Sequence, residues 1–232
     1  MKRLGMLMLA ALLCLYGALA MADGEGVIVQ SSCSIARDGE SYLVYCFAQV
    51  HNATQETIAL DEGRLILGSG DMIAADKRVG QMWPYHLAPG EDGYLFDVIT
   101  FGPTEDGPAQ MPALTSLVYE NTYMIVDSQH TGSMLPVDAI VDETARGASV
   151  RCELHNDMQQ EAYDVTLAVG VYTDAGQLIY ADGRTLSDIG IPAGGRVLVD
   201  FDVDPVLVRQ WADYGAAPAR AVAAAMVRSS MD

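Results

Sequence analysis

The sequence predicts an all-β chain folded as two tandem antiparallel sandwiches, and three observations carry that expectation. Short segments rich in β-branched and aromatic residues alternate with turn signals, no long amphipathic helix separates them, and distant features recur at constant spacing. His155 and Asn156 follow His51 and Asn52 by 104 residues (155 − 51), and Gly194 follows Gly90 by the same 104. Gly176 and Arg184 follow Gly70 and Arg78 by 106, a two-residue length change inside a loop. A unit of about 104 residues is long enough for its own core. The units are placed at 23–130 and 131–232, with the boundary near "DSQHTGSM".

The chain opens on "MKRLGMLMLAALLCLYGALAMADGEG". Two positive charges, an apolar run from Leu4 to Leu19 and small-residue sites at Ala18–Ala20 and Ala20–Ala22 form the pattern of a secretory signal peptide over 1–22. Cleavage after Ala22 removes Cys14 and leaves no integral membrane segment, since a spanning helix wants about 20 apolar residues. The expected location is secreted or extracytoplasmic, in the cell envelope.

The strands follow in order. "SYLVYCFAQVHN" (Ser41 to Asn52) is a β-rich run, and Val165, Leu167, Val169 and Val171 of "VTLAVGVYTDAG" alternate onto one face that should look into a core. "GSGD", "TDAG", "APGE" and "PAGG" supply the Asp, Pro and Gly of tight turns. "DPVLVRQWADYG" has helical spacing at Val206, Arg209 and Gln210 with Trp211 inward, which predicts one short helix. The tail "ARAVAAAMVRSS" is helical by alanine propensity. The matching stretch of the first unit, "LTSLVYENTYMIV", is β-rich, so the repeat favours a closing strand.

The second unit carries "LAVGVYTDAGQLIYADGRTLSDIGIPAGGRVLVDFDV", a strand with Tyr-x-Asp-x-Gly, a polar hairpin, a Pro-Gly-type turn and a Phe-containing strand. The pattern resembles the immunoglobulin-like β-sandwich domains of the FxLYD type in secreted and surface proteins of bacteria. The first unit carries it more weakly, since "LILGSGDMI" lacks the Tyr-x-Asp. The resemblance implies an immunoglobulin-like fold and an extracellular setting, and brings no catalytic residues.

Charge narrows the partners. The chain has 13 Lys plus Arg against 31 Asp plus Glu; without Lys2 and Arg3 the balance is 11 against 31, a charge of −20. Such a surface repels phosphate backbones, which argues against nucleic acid and leaves an extracellular protein or glycan as the expected partner. Half of the residues are apolar, too many for a disordered acidic chain.

Several residues offer chemistry. Cys33 and Cys46 flank "SIARDGESYLVY". With Gly39 and Glu40 as a two-residue hairpin loop, positions summing to 79 lie opposite, as 33 and 46 do. A cross-strand disulfide is then within reach in an oxidising compartment, two buried thiols being the other reading. The position matching Cys33 in the second unit falls in "PVDAIV", so Cys152 is left over as a buried small apolar residue, a nucleophile or an interchain bridge. His51 and His155 read either as zinc ligands with Cys46 and Cys152 or as strand ends whose Asn shapes a turn. "NAT" (Asn52 to Thr54) is also a glycosylation sequon in a eukaryotic source.

Asp200, Asp202 and Asp204 of "DFDVDP" alternate on one strand face and would hold calcium, the one cofactor considered, if they converge; otherwise they are outer-face charges. Trp83 and Tyr85 of "QMWPYHLAPG" are aromatics for ligand contact if exposed and core plugs if buried. The sequence contains no nucleophile elbow, phosphate loop or zincin helix. The expected function is therefore a secreted, acidic, non-enzymatic binding or structural module. The rivals are a calcium-dependent adhesion or matrix protein and a polymer-degrading hydrolase using a carboxylate pair.

Overall fold

The computed structural model describes residues 20–21, 26–80, 82–104, 107–126, 132–144 and 147–227. In chain order the first eight strands are β1 (Ala20–Met21), β2 (Val27–Asp38), β3 (Ser41–Asn52), β4 (Ile58–Ser69), β5 (Met72–Val79), β6 (His86–Leu87), β7 (Asp92–Phe101) and β8 (Ser116–Ile125). There follow β9 (Ser133–Leu135), β10 (Val137–Thr144), β11 (Gly147–His155), β12 (Val165–Tyr172), β13 (Leu178–Leu186), β14 (Arg196–Val203), helix α1 (Pro205–Tyr214) and β15 (Arg220–Val227). Among the described residues the chain is all-β apart from α1, and every strand pairing is antiparallel. The expected signal peptide lies outside the described residues except for Ala20 and Met21, which pair with Val29 and Ile28. The boundary near 130 lies outside them too.

Four sheets result: β1-β2-β3-β7; β4 flanked by β5 and β6 on one side and β8 on the other; β10-β11-β14; and β13-β12-β15-β9. The β2–β3 hairpin has the predicted register, with Gly39 at φ 57° in the first loop position, where a type II′ turn requires Gly. The short helix and the closing strand both form where expected. Asp204 caps α1 by accepting from Val206 N–H at 2.8 Å, and Pro205 opens the helix. Gly215 at φ 66° ends it, and Leu207 and Trp211 are buried.

The pairing scheme recurs at the spacing read from the sequence. His51 faces Asp92 and His155 faces Arg196, both members displaced by 104. Ile58 faces Leu87 as Ala162 faces Ile191, again 104 apart. The register shift in β4 between Leu67 and Gly68 returns in β12 between Val171 and Tyr172. A bulge is a local backbone feature, so its return at the same offset reflects the same chain path, beyond similar composition.

The halves share a packed seam. In β3, Val44, Cys46, Ala48 and Val50 face the first core, while Tyr45 and Phe47 point the other way and join the second half's core cluster. All eight residues of β12 are buried, because one face meets its own core and the other the first half. Phe47 stacks on Phe96 at 5.6 Å and meets Tyr180 at 6.0 Å; Tyr180 meets Trp211 edge-on at 6.5 Å. Such pairs add about 0.5–1.5 kcal/mol each beyond the area they bury. Polar bonds fix the register across the seam: Ser32 Oγ donates to Leu178 O (2.6 Å), Tyr45 OH to Asp204 (2.8 Å) and Tyr172 OH to Tyr94 OH (3.1 Å).

Candidate functional site

The repeated His-Asn pairs end strands β3 and β11, and their asparagines are fully buried. Asn52 Nδ2 donates to Glu56 O and Leu87 O, both at 2.9 Å, and its Oδ1 accepts from Thr54 N–H at 3.0 Å. Asn156 Nδ2 donates to Gln160 O (2.8 Å), Ile191 O (2.7 Å) and Pro192 O (3.2 Å), and its Oδ1 accepts from Met158 N–H (3.0 Å). Each amide ties the backbone of the turn that follows its strand to the backbone of the turn 35 residues on, and so has its own buried polar atoms paired. The same amide nitrogen would carry a glycan in the "NAT" sequon, and in the fold it is enclosed. His51 Nδ1 lies 2.8 Å from Asp92 Oδ1; at the equivalent place His155 faces Arg196. Among the described residues no group of three or more His, Cys, Asp or Glu is arranged to hold a metal ion.

Asp200, Asp202 and Asp204, which would hold calcium if they converged, are not gathered into such a group. Asp200 is bonded by Arg151 Nε at 3.1 Å, and Arg151 also reaches Asp142 at 3.4 Å. Asp202 is exposed on the outer face. Strand β14 ends at Val203, so Asp204 leaves the alternation and turns back to cap α1 and accept from Tyr45.

Trp83 and Tyr85 are half-buried. Trp83 exchanges backbone bonds with Tyr94 (2.9 and 2.8 Å), and its ring lies so close over Gly183 that a Cβ there would stand 2.6 Å from it. It belongs to the seam. Tyr85 packs against His86 at 4.3 Å, and its carbonyl accepts from Leu60 N–H.

Cys33 and Cys46 are directly opposite, as the hairpin arithmetic requires, and the structure draws no S–S bond between them. Ala53 N–H donates to Gly26 O at 2.7 Å, which makes 26 and 53 a hydrogen-bonded pair. Alternation then makes 33 and 46, seven positions on, a non-hydrogen-bonded pair, with Cα atoms about 4.5 Å apart and side chains at their closest. Burial pushes the Cys46 thiol well above its ordinary range. Cys152 is fully buried opposite Ala139, and desolvation raises its thiol to about 12, which leaves it un-ionised near neutral pH.

No protein-family model and no curated protein matches the chain.

Two concavities stand out among the described residues. A cavity of about 40 Å³ opens beside Trp211, Tyr214 and Gln210 on the seam, room for one or two waters. A larger groove, about 270 Å³, runs along residues 222–225 of β15, between Leu135 and Val137 on one side and Glu91 and Asp92 on the other. Burial raises the Glu91 carboxyl above its ordinary range, Asp92 adds to this, and a bond from Ala88 N–H at 2.7 Å opposes it.

The groove adjoins an unpaired sheet edge. β15 pairs with β12 over its whole length but with β9 only at Ala225, Met226 and Val227, because Pro136 diverts the chain into β10. Among the described residues, Arg220 to Ala224 therefore have no strand paired with them on that side, although β10 passes close beside β15. Sequence reasoning missed this site. Its signal was the alanine-rich, uncharged "AVAAA", read only as a contest between helix and strand.

Proposed function

We propose that the chain is a secreted, extracytoplasmic, non-enzymatic module of two immunoglobulin-like sandwiches of the FxLYD type, over 23–130 and 131–232, that works by presenting surface to an extracellular protein or glycan. One observation carries this reading. The residues from which a reaction centre would be built, His51, Asn52, Asn156, Asp204 and Trp83, are bonded into the frame. A rigid frame of this kind suits recognition by its surface.

In an oxidising compartment the opposed pair Cys33–Cys46 closes into a disulfide. The two thiols give up two protons and two electrons to a disulfide oxidant, which is reduced to its dithiol. The bond staples the hairpin that carries Ser32, Tyr45 and Phe47 to the seam, adding about 2 to 3 kcal/mol in the chain-entropy model. Cys152 has Ala139 opposite it and stays a thiol.

The test is the intact mass of protein recovered from the native host, alkylated after unfolding without reductant. The expected species starts at Asp23 and takes up one alkyl group. Three alkyl groups, or a retained N-terminus with its Lys2 and Arg3, would refute the extracytoplasmic reading. The same preparation, immobilised and exposed to envelope material, should retain a partner saturably; turnover of a glycan or peptide polymer lost with a single carboxylate substitution would refute the non-enzymatic one.

A further inference from the structure

The seam between the halves joins unlike surfaces. The first half gives the outer face of β2-β3-β7, through Gln30, Ser32, Phe47 and Tyr94; the second gives β12, β13 and the hairpin between them, through Gly170, Tyr172, Gly176 and Leu178. Because the halves repeat one pairing scheme, each also carries the surface that the other uses. A contact between unlike surfaces that leaves one of each kind free can be made again by the next molecule.

Strand pairing fixes the equivalent positions. Leu198 faces Glu153 as Tyr94 faces Gln49, and Ile140 faces Arg151 as Ser32 faces Phe47. On the other surface Ile66 faces Val118 as Gly170 faces Val222. Gly68 lies between Ser116 and Ile73 as Tyr172 lies between Arg220 and Leu178. Exposed apolar residues gather at these places. Leu198 is 64 % exposed and Ile140 58 %, where Tyr94 and Ser32 are buried against the second half; Ile73 is 65 % exposed, where Leu178 is buried.

The two free surfaces suit one another in the docking that the seam already uses. In the seam Tyr94 is large, and its neighbour Gly170 has no room for a Cβ. In the free surfaces the sizes are exchanged: leucine stands for Tyr94 and glycine for Tyr172, while Ile66 takes up the space beside them, so the volume to be packed is not exceeded. Ile140 then meets Ile73 as Ser32 meets Leu178. Charge agrees with this. The face around Leu198 is acidic on balance, with Asp138, Asp142, Asp200 and Asp202 against Arg151 and Arg196, and the face around Ile66 presents Arg64 and Arg78 to it.

We propose that the chain assembles head to tail with copies of itself. The outer face of β10-β11-β14 in one molecule receives the β4–β5 hairpin and the outer face of β4-β5-β8 of the next, in the manner of the internal seam. Each added molecule leaves one face of each kind free, so growth continues along a line or closes into a ring. The contact needs neither secretion nor a foreign partner, and it goes beyond the reading of the chain as a binding module.

The measurement is sedimentation velocity of mature full-length protein from about 1 µM to about 1 mM, the span of weak protein contacts. The weight-average mass should at least double across that span without levelling at a dimer, and should rise further with salt, because copies of charge −20 repel one another. Ile73→Asp disables the entering face and Leu198→Asp the receiving one; both positions are exposed, and an unchanged Tm shows each variant folded. Met72→Asp and Ile140→Asp form a second pair, read in the same way. Each variant alone should stay monomeric. Mixed in equal amounts, the two members of a pair should form a dimer and nothing larger, since one intact face of each kind remains. Monomer at every concentration and salt overturns the proposal, as does a wild-type dimer that grows no further, association of either variant alone, or a mixture that stays monomeric. None of these results moves the thiol count or the N-terminus, so a failure here is separable from a failure of the extracytoplasmic reading.

Discussion

Replacing Asn156 by alanine removes four hydrogen bonds at once. The lost bonds are those to Gln160 O, Ile191 O, Pro192 O and Met158 N–H, in a position with no solvent exposure to replace them; Ile191 O keeps Ala162 N–H and Pro192 O keeps Gly195 N–H. A buried hydrogen bond contributes about 1 kcal/mol net, and with two of the carbonyls keeping a partner the loss is about 2–4 kcal/mol. In a chain of this size each kcal/mol moves Tm by about 2–4 °C, giving a fall of about 4–16 °C. The measurement is scanning calorimetry of the mature protein beside Asn156→Ala and Asn52→Ala. The two variants should lose similar amounts, because the clamps are built from equivalent atoms. A shift under about 2 °C for Asn156→Ala, or a large loss at one site with none at the other, would refute the clamp and the shared architecture behind it.

Two further outcomes follow from the seam and the groove. Gly170→Ala places a Cβ inside the contact distance of the Tyr94 ring and displaces the residue that bonds Tyr172, so it should cost about 1–3 kcal/mol; urea unfolding showing no loss would mean that the halves do not pack this way. Glu91→Gln should raise Tm at pH 7. Burial holds the Glu91 carboxyl above its unfolded value, so its ionisation costs stability as pH rises through the interval between the two, and the gain should shrink on acidification into that interval. A lowered Tm at pH 7 would contradict this.

The fold was legible where one residue type answers a backbone demand. Asn52, Asn156, Gly90 and Gly194 mark the same turns in both halves, and the offset of 104 could be read from them without coordinates. α1 was legible because Asp204, Pro205 and Gly215 stand at its ends, and β15 because the repeat outweighed alanine propensity. The seam was not, since alternation reports only that one face is buried. "VTLAVGVY" did hold the hint: the residues between Val165, Leu167, Val169 and Val171 carry no charge, as a strand covered on both faces requires. Asp200 and Asp202 follow the strand's alternation onto its outer face, and Asp204 lies one residue beyond the strand, where alternation no longer applies. The short pairing of β15 with β9 depended on where β9 stops, a length that Pro136 sets and that no periodicity announces.

The two-faced burial of β3 and β12 has a consequence in time. A chain is made from its N-terminus, and domains fold as they emerge. Until residues 165–214 have been synthesised, Tyr45, Phe47 and Phe96 of the first half have only one another to lie against. The nascent protein therefore passes through an interval in which its completed half is stickier than the finished molecule, and the length of that interval is set by the rate of translation.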